Sequence, residues 1–456
     1  MVFDAVRRRR SVLVDAVRTR LWPVPAAGVV GAVAAGVGIP ELDAALKEHL
    51  PPTVVGYLFG GGADAARETL GAIATSLITV TSLTFSLTLV TLQLASSQYT
   101  PRLLRTFAAD RFIQRTLALF LATFVYALTV LRTVRNSGDT DAEFVPQIAV
   151  TVAYLLAMAS VLGLVLFLGH LVRQIRIETM LDHVTAETTA TAKRVLDLRD
   201  EASGAAPVPS PPAHRSVIEA SSSGFLVGIE EQALCAAAVD AGAVVWVDRS
   251  VGSRLVAGVP AAFCWSHEPG TPLEERDLKK LRERVGGALH TGIERTAAQD
   301  IGHGLQQLTD VVVRALSPGI NDPTTAVYGV NSCTAVLSEL VRYRLGPRVV
   351  RDDDDEVRVV LMRPDLADLL DLVCTQPQHY GRQDPVFLGS MFSMLRELAW
   401  RTSVPEHRQA IADQLGRLQR TAAEQNFDLL ERSHLDGLAR DVTDALDRRW
   451  TPERRS

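Results

Sequence analysis

The residues with the most chemical potential lie in one stretch, 70–98, which reads LGAIATSLITVTSLTFSLTLVTLQLASSQ. It has no acidic or basic side chain and is crowded with Ser, Thr and Gln. On a helix advancing about 100° per residue, Thr75, Thr79, Ser82, Ser86, Gln93 and Ser97 fall within roughly 40–60° of one another. Thr81, Thr84, Thr88, Thr91 and Gln98 form a second row on roughly the opposite side, with Leu, Val, Ile and Phe between. In apolar surroundings a hydroxyl must find a partner, either the carbonyl one turn back on its own helix or a group across an interface. Two readings stand side by side. The helix is self-satisfied and tightly packed, or one polar edge faces water in a pore formed by several copies. The Thr75 to Ser97 row is the candidate pore lining.

Elsewhere the chain offers little for catalysis. The ten histidines are scattered, and GxSxG and HExxH are absent. No nucleophile stands at a readable spacing from a base, so no enzyme is expected. The four cysteines, Cys235, Cys264, Cys333 and Cys374, are far apart and form no CxxC or Cys/His cluster. They read as small buried residues in a reducing compartment, with no metal or cofactor expected. Gly60, Gly61 and Gly62 lack the Lys-Ser/Thr of a phosphate loop and read as a turn. The acidic run 352–356 reads as a solvated hairpin tip, with a cation site as the sharper alternative.

A helix needs somewhere to sit, and the composition supplies it. With 47% hydrophobic residues and a mean hydropathy of +0.13 over 456 residues, the chain is too apolar for an ordinary soluble protein and too polar to be membrane throughout. The formal charge of −5 and the lack of a basic, aromatic-rich stripe argue against a nucleic-acid partner. Apolar segments at about 21–39, 70–95, 112–131 and 148–171 predict four spans in a transmembrane domain covering 1–171. The first is rich in Gly and Ala and is expected to end at Pro40. Arg-rich segments precede the first span, follow the second (Arg102, Arg105, Arg111) and follow the fourth (Arg173, Arg176). The positive-inside rule therefore places both termini in the cytoplasm. The spans lack internal charge, which disfavours a proton-coupled carrier; a carrier built on hydroxyls and amides stays open.

Beyond the fourth span, 171–198 reads as a charged helix leaving the membrane. Residues 172–213 thus form a juxtamembrane helix and linker, the linker being rich in Pro, Ser and Ala. Residues 214–270 suggest a small β-rich module, with strands at 216–220, 225–229, 243–247 and 254–265 and a helix at 230–241. Residues 271–456 read as a helical domain whose first two helices are expected at 273–296 and 300–316. The fold class is membrane all-α followed by a cytoplasmic α+β part.

Two segments carry a family resemblance: LQLASSQYTPR at 92–102 and ALSPGINDP at 315–323. With the stretches around them they resemble the bacterial family of predicted membrane proteins classed as domain of unknown function 2254. The resemblance implies four N-terminal spans, a small β-rich piece and a helical cytoplasmic part in the inner membrane, and it assigns no activity. Around the second segment, Ser317 and Pro318 end one helix, Gly319 permits a backbone reversal, and Asp322 with Pro323 starts the next. Gln299 and Asp300 are placed to cap the helix carrying Arg314. The corner formed by Arg314, Ser317, Gly319, Asn321 and Asp322 reads either as a rigid interhelical joint or as a ligand or subunit contact that regulates the membrane part. The expected function is a homo-oligomeric channel or pore-like protein in the bilayer, with a small ion or cytoplasmic ligand as partner. The competing class is a non-conducting scaffold or sensor.

Overall fold

The computed structural model describes residues 22–46, 58–98, 110–135, 144–174, 176–199, 208–268 and 271–451. The N-terminal arginine cluster, Arg102 and Arg105, the acidic residues Asp139, Asp141 and Glu143, and most of the Pro/Ser/Ala linker lie outside the described residues. The chain divides into two units, 1–176 and 177–456.

Among the described residues of the first unit, four helices are long and apolar enough to cross a membrane. They are α1 (Pro23–Leu46), α2 (Ala63–Gln98), α3 (Arg111–Leu131) and α4 (Gln147–Gln174). Pro40 does not end α1, contrary to expectation: the helix runs six residues past it. Proline removes one N–H and crowds the carbonyl four residues back. Here that residue is Gly36, buried against α3, and helix neighbours can hold a proline-containing span together. Close approach of α1 and α3 depends on small residues. A Cβ at Gly28 would stand 3.2 Å from the Ala118 carbonyl oxygen, and one at Gly36 would stand 2.7 Å from the Thr129 Cβ. These two sites also show that α1 and α3 run in the same direction.

α2 is 36 residues long, about 54 Å at 1.5 Å per residue, well beyond the ~30 Å hydrocarbon core. It enters the unit through a buried stripe of Ala63, Ala66, Leu70, Ala74 and Leu77. The 3–4 spacing of that stripe is the seam expected of helices packed side by side. Tyr126, Ala127 and Val130 of α3 and Ala149, Val150 and Ala153 of α4 share this core. Toward the other end, Leu87 packs with Ile113, Leu117, Phe167 and Leu171.

The second unit begins with α5 (Ile177–Val195), so the segment expected as one charged helix is two, α4 and α5. It then forms β1 (Ser216–Glu219), β2 (Gly224–Ile229), α6 (Glu231–Asp240), β3 (Ala243–Val247), β4 (Arg254–Leu255), β5 (Pro260–Ser266), α7 (Glu275–Ala288) and β6 (Leu289–Gly292). The expected strand at 254–265 is two, and the expected helix at 273–296 stops at Ala288 and gives way to β6. The remaining elements are α8 (Ile301–Ala315), α9 (Pro323–Leu340), β7 (Arg348–Arg351), β8 (Val357–Leu361), α10 (Leu366–Gly381), α11 (Pro385–Arg401), α12 (Pro405–Ala423) and α13 (Leu429–Leu446).

One sheet has the order β1-β5-β3-β8-β7 and the other β4-β2-β6. β3 pairs with β8 in parallel, Val245 opposite Val359, so the larger sheet takes two of its strands from beyond residue 270. β3 is buried along almost all of its length, as a central strand covered on both faces must be. α6 and α7 supply Leu234, Ala237, Leu281 and Val285 to the core beneath. Aspartate caps start five of the helices that follow: Asp300, Asp322, Asp365, Asp384 and Asp428 each accept from a backbone N–H in the first turn.

Candidate functional site

The two polar rows of α2 have opposite fates. Thr81, Thr84, Thr88 and Thr91 continue the buried stripe of the first unit and are 0–8% exposed. Thr81 donates to the Leu77 carbonyl at 2.6 Å, Thr88 to Thr84 at 2.8 Å and Thr91 to Leu87 at 2.8 Å. The Thr84 hydroxyl is buried without a partner among the described residues. Thr75, Thr79, Ser82, Ser86 and Gln93 lie on the exposed side of the helix. Thr79 donates to the Thr75 carbonyl at 3.0 Å. Ser97 is in the helix, and its side chain lies outside the described residues. From Thr75 to Gln93 the row rises about 27 Å, close to the thickness of a hydrocarbon core. Ile78, Leu83, Phe85, Leu89 and Val90 flank it and are about half-exposed.

Several polar groups elsewhere in the first unit join helices. Thr123 and Ser160 face each other at 3.3 Å between α3 and α4, each within reach of a carbonyl on its own helix. Tyr126 donates to the Ala149 carbonyl at 3.1 Å. Asp43, 4% exposed, accepts from the Ile148 N–H at 2.7 Å and so caps α4 from the end of α1. A carboxylate at a helix N-terminus is favoured by the helix dipole. The sequence reading missed this role because it ended α1 at Pro40 and left Asp43 in a loop. At the other end, Asp110 caps α3 by accepting from Phe112 N–H at 2.7 Å, and its second oxygen lies 2.6 Å from His170 Nε2.

In the second unit the 314–322 corner is closed by its own bonds. Ser317 donates its hydroxyl to the Arg314 carbonyl at 2.6 Å, and the Ser317 carbonyl accepts from Ile320 and Asn321. Asp322 N–H donates to Ala315, while its carboxylate caps α9 by accepting from Thr325 N–H at 3.1 Å. Hydrogen bonds from Thr325 hold the Asp322 carboxyl below the usual carboxylate range. The backbone reversal falls on Asn321, with φ of 49°, and not on the expected Gly319. Asn tolerates this region better than most residues. Asp300 caps α8 as expected, by accepting from His303 N–H, whereas Gln299 bonds the backbone of Ile229 instead. In the acidic run 352–356, Asp352 accepts from the Asp354 and Glu356 amides and pairs with Arg358. That carboxylate is therefore occupied in holding the hairpin.

Four membrane-length helices followed by a mixed helical unit with two small sheets define a multi-span membrane protein with a large second unit. The chain belongs to the family described as predicted membrane protein DUF2254, whose model matches residues 18–397. It is 33% identical over 446 residues to uncharacterized proteins of Mycobacterium bovis and of two strains of Mycobacterium tuberculosis, covering 97% of this chain and 84% of each relative. No solved structure matches it.

Proposed function

We propose that the protein is a homo-oligomeric channel of the bacterial plasma membrane in which α2 of each copy contributes its Thr75, Thr79, Ser82, Ser86 and Gln93 edge to a shared path for small ions. The observation that carries this is the division of the two rows, one turned into the four-helix unit and the other turned out of it. An amide such as that of Gln93 is costly to leave in hydrocarbon, by several kcal/mol in the most apolar reference. A second copy or a column of water removes that cost. Both termini lie in the cytoplasm on this reading, from the arginine-rich segments, and the second unit regulates the membrane part. No catalysis is assigned.

The back-bonding of Thr79 to Thr75 favours a second reading, in which the outward edge packs dry against a neighbouring copy and the protein is a scaffold or sensor. Reconstitution in planar bilayers separates the two. The channel reading expects unitary currents, and expects Ser86→Leu and Gln93→Leu to change conductance while the oligomer keeps its size. Silent bilayers across ions and voltages, from oligomers of the correct mass, refute it and leave the scaffold.

A further inference from the structure

A cavity of about 430 Å³ opens in the second unit between the end of α5, the start of α6, the N-terminus of α8 and the end of β8. Its volume falls within the ~300–1,000 Å³ range of small-molecule sites. One wall is rigidly built. The Gln299 side chain accepts from the Ile229 N–H at 2.9 Å, and Asp300 is held by Arg295 through bonds of 2.8 and 3.0 Å. A Cβ at Gly252, where φ is 94°, would stand 2.2 Å from the Asp300 carboxylate. That wall is therefore pre-formed and leaves no room for a side chain at this glycine. Val251, Leu361 and Met362 add an apolar surface.

Three arginines line this space, and two of them, Arg348 and Arg363, share one carboxylate, while Arg194 donates to Thr191 and the Ala298 carbonyl. Arg363 Nη2 donates to Glu231 Oε1 at 2.7 Å, and Arg348 Nε donates to Glu231 Oε2 at 2.9 Å. Arg363 also donates to the Val195 carbonyl at 3.2 Å, and Arg348 pairs with Asp197. Each guanidinium has five N–H groups, so more than half of the donors of this pair have no acceptor among the described residues. Glu231 is itself the first residue of α6, whose N-terminus has no side-chain cap and adds the positive end of a helix dipole, whereas the N-terminus of α8 beside the cavity is already capped by Asp300. The Asp197 side chain is 63% exposed, so its hold on Arg348 is the weakest of these pairs.

We propose that this cavity binds a small organic anion, a phosphate monoester or carboxylate with an apolar body, whose acid group takes the place of Asp197 on Arg348 and accepts from the remaining donors of Arg363, while its body lies against Val251, Leu361 and Met362. Asp197 is then a resident competitor: ligand entry releases its side chain, while its backbone stays bonded to Arg344. The site stands whether or not the membrane unit conducts.

Calorimetric titration of the full chain in nanodiscs tests this with four probes: adenosine 5′-monophosphate, indole-3-acetate, inorganic phosphate and adenosine. At least one of the first two binds, with inorganic phosphate and adenosine at least tenfold weaker, and the stronger of the first two identifies the acid group. Arg348→Met weakens binding at least tenfold. Asp197→Asn strengthens it severalfold, which a merely structural ion pair would not do, and this variant keeps the test valid if Arg348→Met fails to fold. The proposal is overturned if neither acid-bearing probe binds wild type or Asp197→Asn, if binding survives Arg348→Met, or if Asp197→Asn leaves affinity unchanged or lower.

Discussion

Replacing Thr84 with valine is expected to stabilise the membrane unit. The side chain is fully buried in the inner row of α2, and its hydroxyl has no hydrogen-bond partner among the described residues, whereas Thr81, Thr88 and Thr91 each donate one turn back. A buried hydroxyl left unsatisfied costs about 1–3 kcal/mol in soluble proteins. Within a membrane the low end applies, because interhelical hydrogen bonds there average only about 0.6 kcal/mol. Valine keeps the branched shape and removes the polar atom, so the expected gain is about 1 kcal/mol, roughly fivefold in the folding equilibrium. Thr88→Val removes a hydroxyl that is already satisfied and should change stability by less than about 0.5 kcal/mol. Hydrogen exchange of α2 and α3 peptides, followed by mass spectrometry across an SDS titration in mixed micelles, reports the unit by itself. A loss of 1 kcal/mol or more in Thr84→Val would mean that the hydroxyl meets water or a partner, and the assignment of the inner row as a dry seam would be refuted.

Asp43→Ala, read by the same exchange measurement, should cost about 1–2 kcal/mol through loss of the α4 cap, with Asp43→Asn costing less because asparagine also caps well. At the interhelical corner, Gly319→Ala should be close to neutral, since a Cβ there meets nothing within 4 Å. Asn321→Val should cost about 1–2 kcal/mol by forcing a branched residue to positive φ; thermal melting of the full chain distinguishes the two. Burial lowers the pKa of His407 from 6.5 to about 4. The unfolded chain therefore binds the proton first, and the second unit loses stability as pH falls from about 6.5 to 4, by up to roughly 3 kcal/mol. His407→Gln should flatten that dependence in hydrogen exchange of α12, and a slope unchanged by the substitution would assign it elsewhere.

Much of the first unit was legible because its signals are local. Hydropathy finds the four helices, and the two polar rows of α2 follow from helical periodicity alone. Pro40 misled because a proline ends helices in water, while the small residues of α1 that let α3 approach also accommodate it. The role of Asp43 was lost with it. In the second unit β6 was read as helix because LHTG is too short to declare itself; its pairing with β2 decides its conformation. The acidic run 352–356 reads correctly as a hairpin tip, yet the joining of its arms, β7 and β8, to β3 connects residues more than a hundred positions apart. The same distance hid the cavity: Arg348 and Arg363 meet Glu231 across 117 and 132 residues. At 314–322 the turn was legible and its pivot was not, since glycine was the expected site of positive φ and asparagine holds it.

The central claim is that the outward edge of α2 meets water and the inward row does not. Single cysteines at Ser82, Ser86 and Gln93, with Thr84→Cys, Thr88→Cys, Leu83→Cys and Phe85→Cys as controls, test it in membranes with a charged, water-soluble thiol reagent. Cys235 is partly exposed while the other three native cysteines are buried, so Cys235→Ser supplies the background. The account predicts that Ser82→Cys, Ser86→Cys and Gln93→Cys are modified and the four controls are not. Protection of all three, or modification of the Thr84 and Thr88 positions in their stead, would contradict it.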